Sequence, residues 1–167
     1  MKVIQELHQF GDELRPPQPS LAHEWDGQQW LADASKLATL EHLEAEHLCA
    51  KVDAAADNAR SALAGDPLKA MEYAQAAADA QAFRDAGYPK KEVPLAVAAW
   101  VVKGRTAKQA AEQILAKAEQ LTDHLLTLRT LRLKAKAQIR AQAGKGKIDL
   151  ARGAADEALI AIGELAS

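Results

Sequence analysis

Residue types that bind metals or act as nucleophiles gather at His42, His47 and Cys49, with Glu41, Glu44 and Glu46 interleaved. Imidazole, thiolate and carboxylate together could hold zinc, and an activated thiolate could attack a carbonyl. The spacing speaks against both. His42 and His47 are five residues apart, which on a helix turns the rings about 140° from one another; helical metal pairs stand three or four apart. His42 and Glu46 share a face, but two ligands make no site, and Leu43 after His42 breaks the HEXXH pattern. Cys49 sits amid Glu and Ala with no partner base or oxyanion hole in view.

Lys145-Gly146-Lys147 has the composition of a phosphate loop but not its grammar. A Walker motif needs a glycine where Ala141 stands and a Ser or Thr where Ile148 stands. The remaining carboxylates are scattered along helical stretches, so no acid/base pair stands out. The sequence therefore assigns no catalytic, cofactor or metal-binding residue, and a non-enzymatic role is expected.

Two features point instead to binding. Arg129, Arg132, Lys136 and Arg140 follow one another at steps of three, four and four, and no acid occurs from Thr127 to Lys147. Those steps lay the cations along one helix face. Such a stripe can meet nucleic acid, can be a solvated helix C-terminus, or can face acidic protein, including this chain's own Glu41/Glu44/Glu46 segment. Nucleic acid is the weaker choice, because the chain carries a net charge of −2 and no aromatic interleaves the stripe. The second feature is Trp25-Asp26-Gly27-Gln28-Gln29-Trp30. Asp-Gly is a tight-turn signal, so Trp25 and Trp30 are expected to flank a small hairpin, either as a contact surface or packed on the helices.

The elements that must position these residues are mostly helical. Ala dominates and aromatics make up 4%, a composition that favours helices in close contact but buries little area per residue. The longest stretch, Thr106 to Ala143, has no Pro or Gly and repeats apolar residues at Ala110, Ile114, Ala118, Leu121, Leu125, Leu128, Ala135 and Ile139. Thr106 is its expected cap and Gly144 its expected left-handed stop. An earlier helix is expected from a cap at Asp33 or Ser35 to about Leu63. A second, carrying Leu68, Met71, Ala74, Ala78 and Phe83, opens at Asp66-Pro67. Pro94 opens a short apolar helix, PLAVAAWVVKG, read as a buried plug, and Lys147 to Leu165 forms a final helix with Ile148, Ala151, Ala155, Leu159 and Ile162 on one face. Before them, Val3, Ile4, Leu7 and Phe10 suit a short amphipathic helix or an arm, and Pro16, Pro17 and Pro19 break the chain.

The reading is mainly α: an elongated long-helix bundle or helical hairpins with a small N-terminal β-hairpin. Residues 1–32 form an arm with the Pro-rich segment and Trp hairpin, and residues 33–167 the helical domain. Residues 1–100 hold 9 Lys/Arg against 16 Asp/Glu and residues 101–167 hold 12 against 7, which suits antiparallel packing of an acidic early helix on a basic late one. The single cysteine, the lack of a secretory h-region in MKVIQELHQFGDELRPP and the lack of an 18-residue apolar run suggest a cytoplasmic protein without membrane contact.

Pro16-Pro17 followed by Trp25-Asp26-Gly27-Gln28-Gln29-Trp30 resembles the tail fibre assembly proteins of contractile-tailed phages and R-type tailocins (pyocins). Ala82-Phe83-Arg84, Gly87-Tyr88, Pro94-Leu95 and Gly104-Arg105-Thr106 also resemble helical segments of phage tail accessory proteins, so the likeness spans residues 15–135 in loose pattern. The resemblance implies a non-enzymatic chaperone that binds the C-terminal region of a trimeric tail fibre and assists its folding. Trp25, Gly27 and Trp30 carry over as motif positions. Arg129, Arg132, Lys136 and Arg140 join them as candidate partner contacts from the charge pattern, and the long helices offer a route to self-association. A helical nucleic-acid-binding or structural accessory protein using residues 129–147 is the alternative.

Overall fold

The computed structural model describes residues 6–102 and 104–166. Two antiparallel two-stranded ribbons come first: β1 (His8–Phe10) with β2 (Glu13–Arg15), and β3 (His23–Trp25) with β4 (Trp30–Ala32). Five helices follow: α1 (Ala34–Ala64), α2 (Pro67–Asp85), α3 (Leu95–Ala98), α4 (Ala107–Ala143) and α5 (Ile148–Leu165). The fold is mainly α, as the composition dictates.

Local signals fix the starts of the three longest helices. The Asp33 carboxylate accepts hydrogen bonds from the amides of Ser35 and Lys36 at the start of α1, and Asp66 accepts from Leu68 ahead of Pro67 at the start of α2. Thr106 and Gln109 form a reciprocal capping box on α4. Each bond satisfies an amide that the first helical turn leaves unpaired.

At 1.5 Å per residue, the 37 residues of α4 run about 55 Å. All eight positions of its apolar series are buried or half-buried, but they meet different neighbours along the way. Leu128, Ala135 and Ile139 join Leu48, Cys49 and Val52 of α1 and Ala151, Ala155 and Ile162 of α5 in the larger core. Ala110 and Ala111, at the other end, pack with Ala80 and Phe83 of α2 and Val97 of α3. Alanines occupy many of the buried positions, so backbones approach closely while a few larger side chains supply most of the apolar area.

Four expectations need correction. The Leu7–Phe10 stretch is not helical: β1 and β2 pair with Phe10 opposite Glu13 across a turn at Gly11, whose φ of 64° suits glycine. Val3 and Ile4 lie outside the described residues. The apolar run after Pro94 is not a buried plug. Its helix is only four residues long and inserts Val97 alone, while Leu95 is 86% exposed and Val102 57%. Amide bonds from Trp100 to the Val97 carbonyl and from Val101 to that of Ala98 turn the chain before another apolar face forms.

On α2 the packed stripe is Ala76, Ala80 and Phe83 rather than the one led by Leu68 and Met71. Met71 and Ala80 are nine residues apart, about half a turn around the helix axis, so the side that meets α4 leaves Met71 outside. Finally, Gly144 caps α4 in a right-handed conformation (φ −63°), and the left-handed residue is Gly146 (φ 68°). A turn over residues 144–146 follows the helix, closed by Lys147 donating to the Gln142 carbonyl at 3.0 Å, before the chain reverses into α5.

Candidate functional site

The Trp hairpin forms as expected from its turn. Trp25 pairs with Trp30 across a loop in which the Asp26 carboxylate accepts the amides of Gln28 and Gln29 at 2.7 Å each, and those bonds hold its carboxyl below the usual range. Gly27 takes φ 105°, a conformation that other L-residues reach only with strain.

The rings pack on the first ribbon. Trp30 meets Trp25 edge-to-face at a centroid separation of 5.3 Å and Phe10 of β1 at the same distance. Its indole N–H donates to the Pro16 carbonyl at 2.7 Å. The Arg15 guanidinium of β2 lies 5.3 Å from the Trp25 ring and 5.9 Å from Phe10. Phe10, Arg15, Trp25 and Trp30 thus fasten two ribbons, each marginal alone, into one unit. Phe10, expected in a short helix or arm, packs on Trp30 instead, and Arg15 was not singled out from the sequence. Phe10-Gly11-Asp12-Glu13 carried a turn signal like that of Asp26-Gly27.

The unit is tethered to the start of α1. Asp33 donates its amide to the Ala22 carbonyl at 2.7 Å, Lys36 pairs with Glu24, and Ala22 is fully buried. All four strands belong to two-stranded sheets, so among the described residues each keeps one edge without a strand partner.

The basic stripe of α4 faces α1. Arg132 approaches Asp53 at 3.3 Å and Lys136 pairs with the same carboxylate. Arg140 makes a two-pronged pair with Glu46, at 2.7 and 2.8 Å. Its guanidinium holds the Glu46 carboxyl below the usual range. Arg129 is exposed and makes no ion pair among the described residues. Of the acids anticipated opposite the stripe, only Glu46 meets it. Glu44 instead accepts Arg152 of α5 at 2.6 and 2.9 Å, and Asp53 takes the central position.

Cys49 is buried between α1 and α4 with its sulfur 4.0 Å from the Lys136 carbonyl oxygen, and burial pushes its thiol above the usual range. An inert packing role follows from that environment. His42 lies beside Glu46 and Arg140 in a shallow cleft of about 280 Å³ between α1 and the α4–α5 turn. A second hollow of about 350 Å³, lined by Ala59, Ala62, Leu159 and Ile162, opens between the C-terminal turns of α1 and α5. Among the described residues no three His, Cys, Asp or Glu side chains converge as metal ligands, and no helix is long and apolar enough to cross a membrane. No family model, curated protein or solved structure matches the chain.

Proposed function

We propose that this chain is a non-enzymatic, cytoplasmic assembly chaperone that binds the C-terminal region of a trimeric tail fibre of a contractile-tailed phage or R-type tailocin. The observation that carries the reading is the seating of Trp30 on the Pro16 carbonyl at 2.7 Å. This bond ties the Pro-Pro segment and the Trp-x-Gly-x-x-Trp hairpin, the two parts of the family-like pattern, into one folded unit. Open strand edges beside apolar rings can pair with and cover strand-edge surface of a fibre chain that has not yet met its two partners. The helices hold this unit through Asp33 and Lys36, and exposed Leu126 and Leu133 on α4 offer self-association through the long helix.

The test is co-expression of the fibre with the wild-type chain, with a Trp25→Ala/Trp30→Ala variant, and alone. Soluble trimeric fibre is expected only with the wild type. Equal yields of trimer in all three cultures would remove the proposal.

A further inference from the structure

Arg132, Lys136 and Arg140 of the α4 stripe meet carboxylates of α1, but among the described residues the cations at the other end of α4 do not. Residues 86–118 carry six Lys/Arg against two Asp/Glu. One of those acids, Glu112, accepts a hydrogen bond from the Tyr88 hydroxyl. Arg105 and Lys117 stand over the Trp100 ring, 5.6 and 4.8 Å from its centroid, and neither makes an ion pair among the described residues. Lys108 covers the Tyr88 ring at 5.1 Å in the same manner.

Within this cationic setting the chain exposes its most apolar run. Leu95, Trp100, Val101 and Val102 fall within eight residues, and their exposures are 86%, 41%, 40% and 57%. Large apolar side chains left together at a surface mark an interaction site more often than chance exposure does. A second copy docked symmetrically on this surface would bring a second Arg105 and Lys117 into the same interface, so like charges would oppose a two-fold dimer. The complementary occupant carries acidic groups for Arg105 and Lys117 and apolar groups for Leu95 and the Trp100–Val102 segment.

We propose that the Leu95–Val102 segment, with Arg105 and Lys117, is a docking surface for an acidic, apolar segment of a partner protein. This surface is separate from the Trp25/Trp30 unit. The ribbons join α1 near its start, and α1 meets α4 at Arg140, whereas Trp100 rests beside Lys117. It stands whether or not the partner is a fibre.

Fluorescence anisotropy of the full chain with two labelled synthetic helical peptides tests this directly. Both carry Leu at the same i, i+3, i+4 and i+7 positions; one has Glu at every other position and the other Lys. The Glu peptide is expected to bind saturably at low salt and the Lys peptide not to bind. Trp100→Ala, and separately Arg105→Glu/Lys117→Glu, should each weaken binding about ten-fold. Lys51→Glu, an exposed change on α1, should leave it unchanged. The charge-reversal pair touches no core position, so unchanged helical circular dichroism separates lost binding from lost fold. Equal affinity for both peptides, or wild-type affinity in the two patch variants, overturns the proposal. Binding to phosphatidylcholine vesicles containing about one-fifth phosphatidylserine, lost in the same variants while the Glu peptide stays unbound, also overturns it and assigns the surface to a membrane.

Discussion

Arg140 of α4 and Glu46 of α1 form a two-pronged ion pair, Nε to Oε1 at 2.7 Å and Nη2 to Oε2 at 2.8 Å. Together with Asp53 opposite Arg132 and Lys136, this pair turns a basic helix face that could have met an external polyanion into part of the seam between two helices. Exposed apolar side chains remain on the ribbons before α1 and on the Trp100 segment before α4.

The pH dependence of the seam follows from Glu46. Its carboxyl is held below the ordinary glutamate value of about 4.3, mainly by the hydrogen bonds from Arg140. A depressed folded value means the unfolded chain binds the proton more readily, so the stabilisation is full above that pH and fades as pH falls through the lower folded value. The stability difference between wild type and Glu46→Gln, from urea melts at stepped pH, should be constant near neutrality and shrink below about pH 4.3. A difference that grows on acidification would contradict the assignment.

Asp53 serves two cations in a half-buried setting, and the Arg132 Nε has no hydrogen-bond partner among the described residues. Replacing Asp53 with Ala leaves Arg132 and Lys136 facing one another without their shared acid. A cost of about 1–3 kcal/mol is expected from urea denaturation. Lys134→Ala, an exposed change on the same helix with no carboxylate pair among the described residues, should stay within about 0.5 kcal/mol.

Core contributions differ sharply along apolar helix positions. Ile139 is fully buried between α1, α4 and α5, whereas Ile160 on α5 is 63% exposed. Ile139→Ala should cost about 2–5 kcal/mol and Ile160→Ala less than about 1 kcal/mol in the same melts. Comparable costs would mean that α5 covers more surface in solution than this packing provides.

Truncating Trp30 to Ala removes its edge-to-face contacts with Trp25 and Phe10 and its bond to Pro16. Each aromatic pair is worth about 0.5–1.5 kcal/mol, enough to undo ribbons that are marginal alone. Near-ultraviolet circular dichroism from the Trp pair should collapse while helical ellipticity at 222 nm changes little. Parallel loss of both signals would show that the ribbons support the bundle.

Much of this architecture is legible from local chemistry. Asp33, Asp66-Pro67 and Thr106 announce helix starts because only a few side chains can satisfy first-turn amides. Asp26-Gly27 between two tryptophans specifies a hairpin because few residues tolerate its turn. What was not legible depends on which neighbour arrives. The apolar run after Pro94 reads as core, yet only Val97 finds a layer to enter between Phe83 and Ala110. Leu68 and Met71 look like the core side of α2, but α4 takes the alanine side, where close approach is possible. The stripe's pairing was foreseeable in sign but not in register: Asp53 took the place that charge counting gave to Glu41 and Glu44, and Glu44 pairs with Arg152 of α5 instead. Gly144 stops α4 where its lack of a side chain suggested, but the left-handed conformation falls two residues later on Gly146, in the turn closed onto Gln142.

The central claim is most directly tested by purifying the tagged full-length chain from cells expressing the tail fibre of the same genome and measuring the mass of what elutes by light scattering. A stable complex of defined mass containing the fibre, lost in Trp25→Ala/Trp30→Ala, is the predicted result. Elution of the chain without fibre, while the fibre reaches its trimer in the same cells, would contradict it.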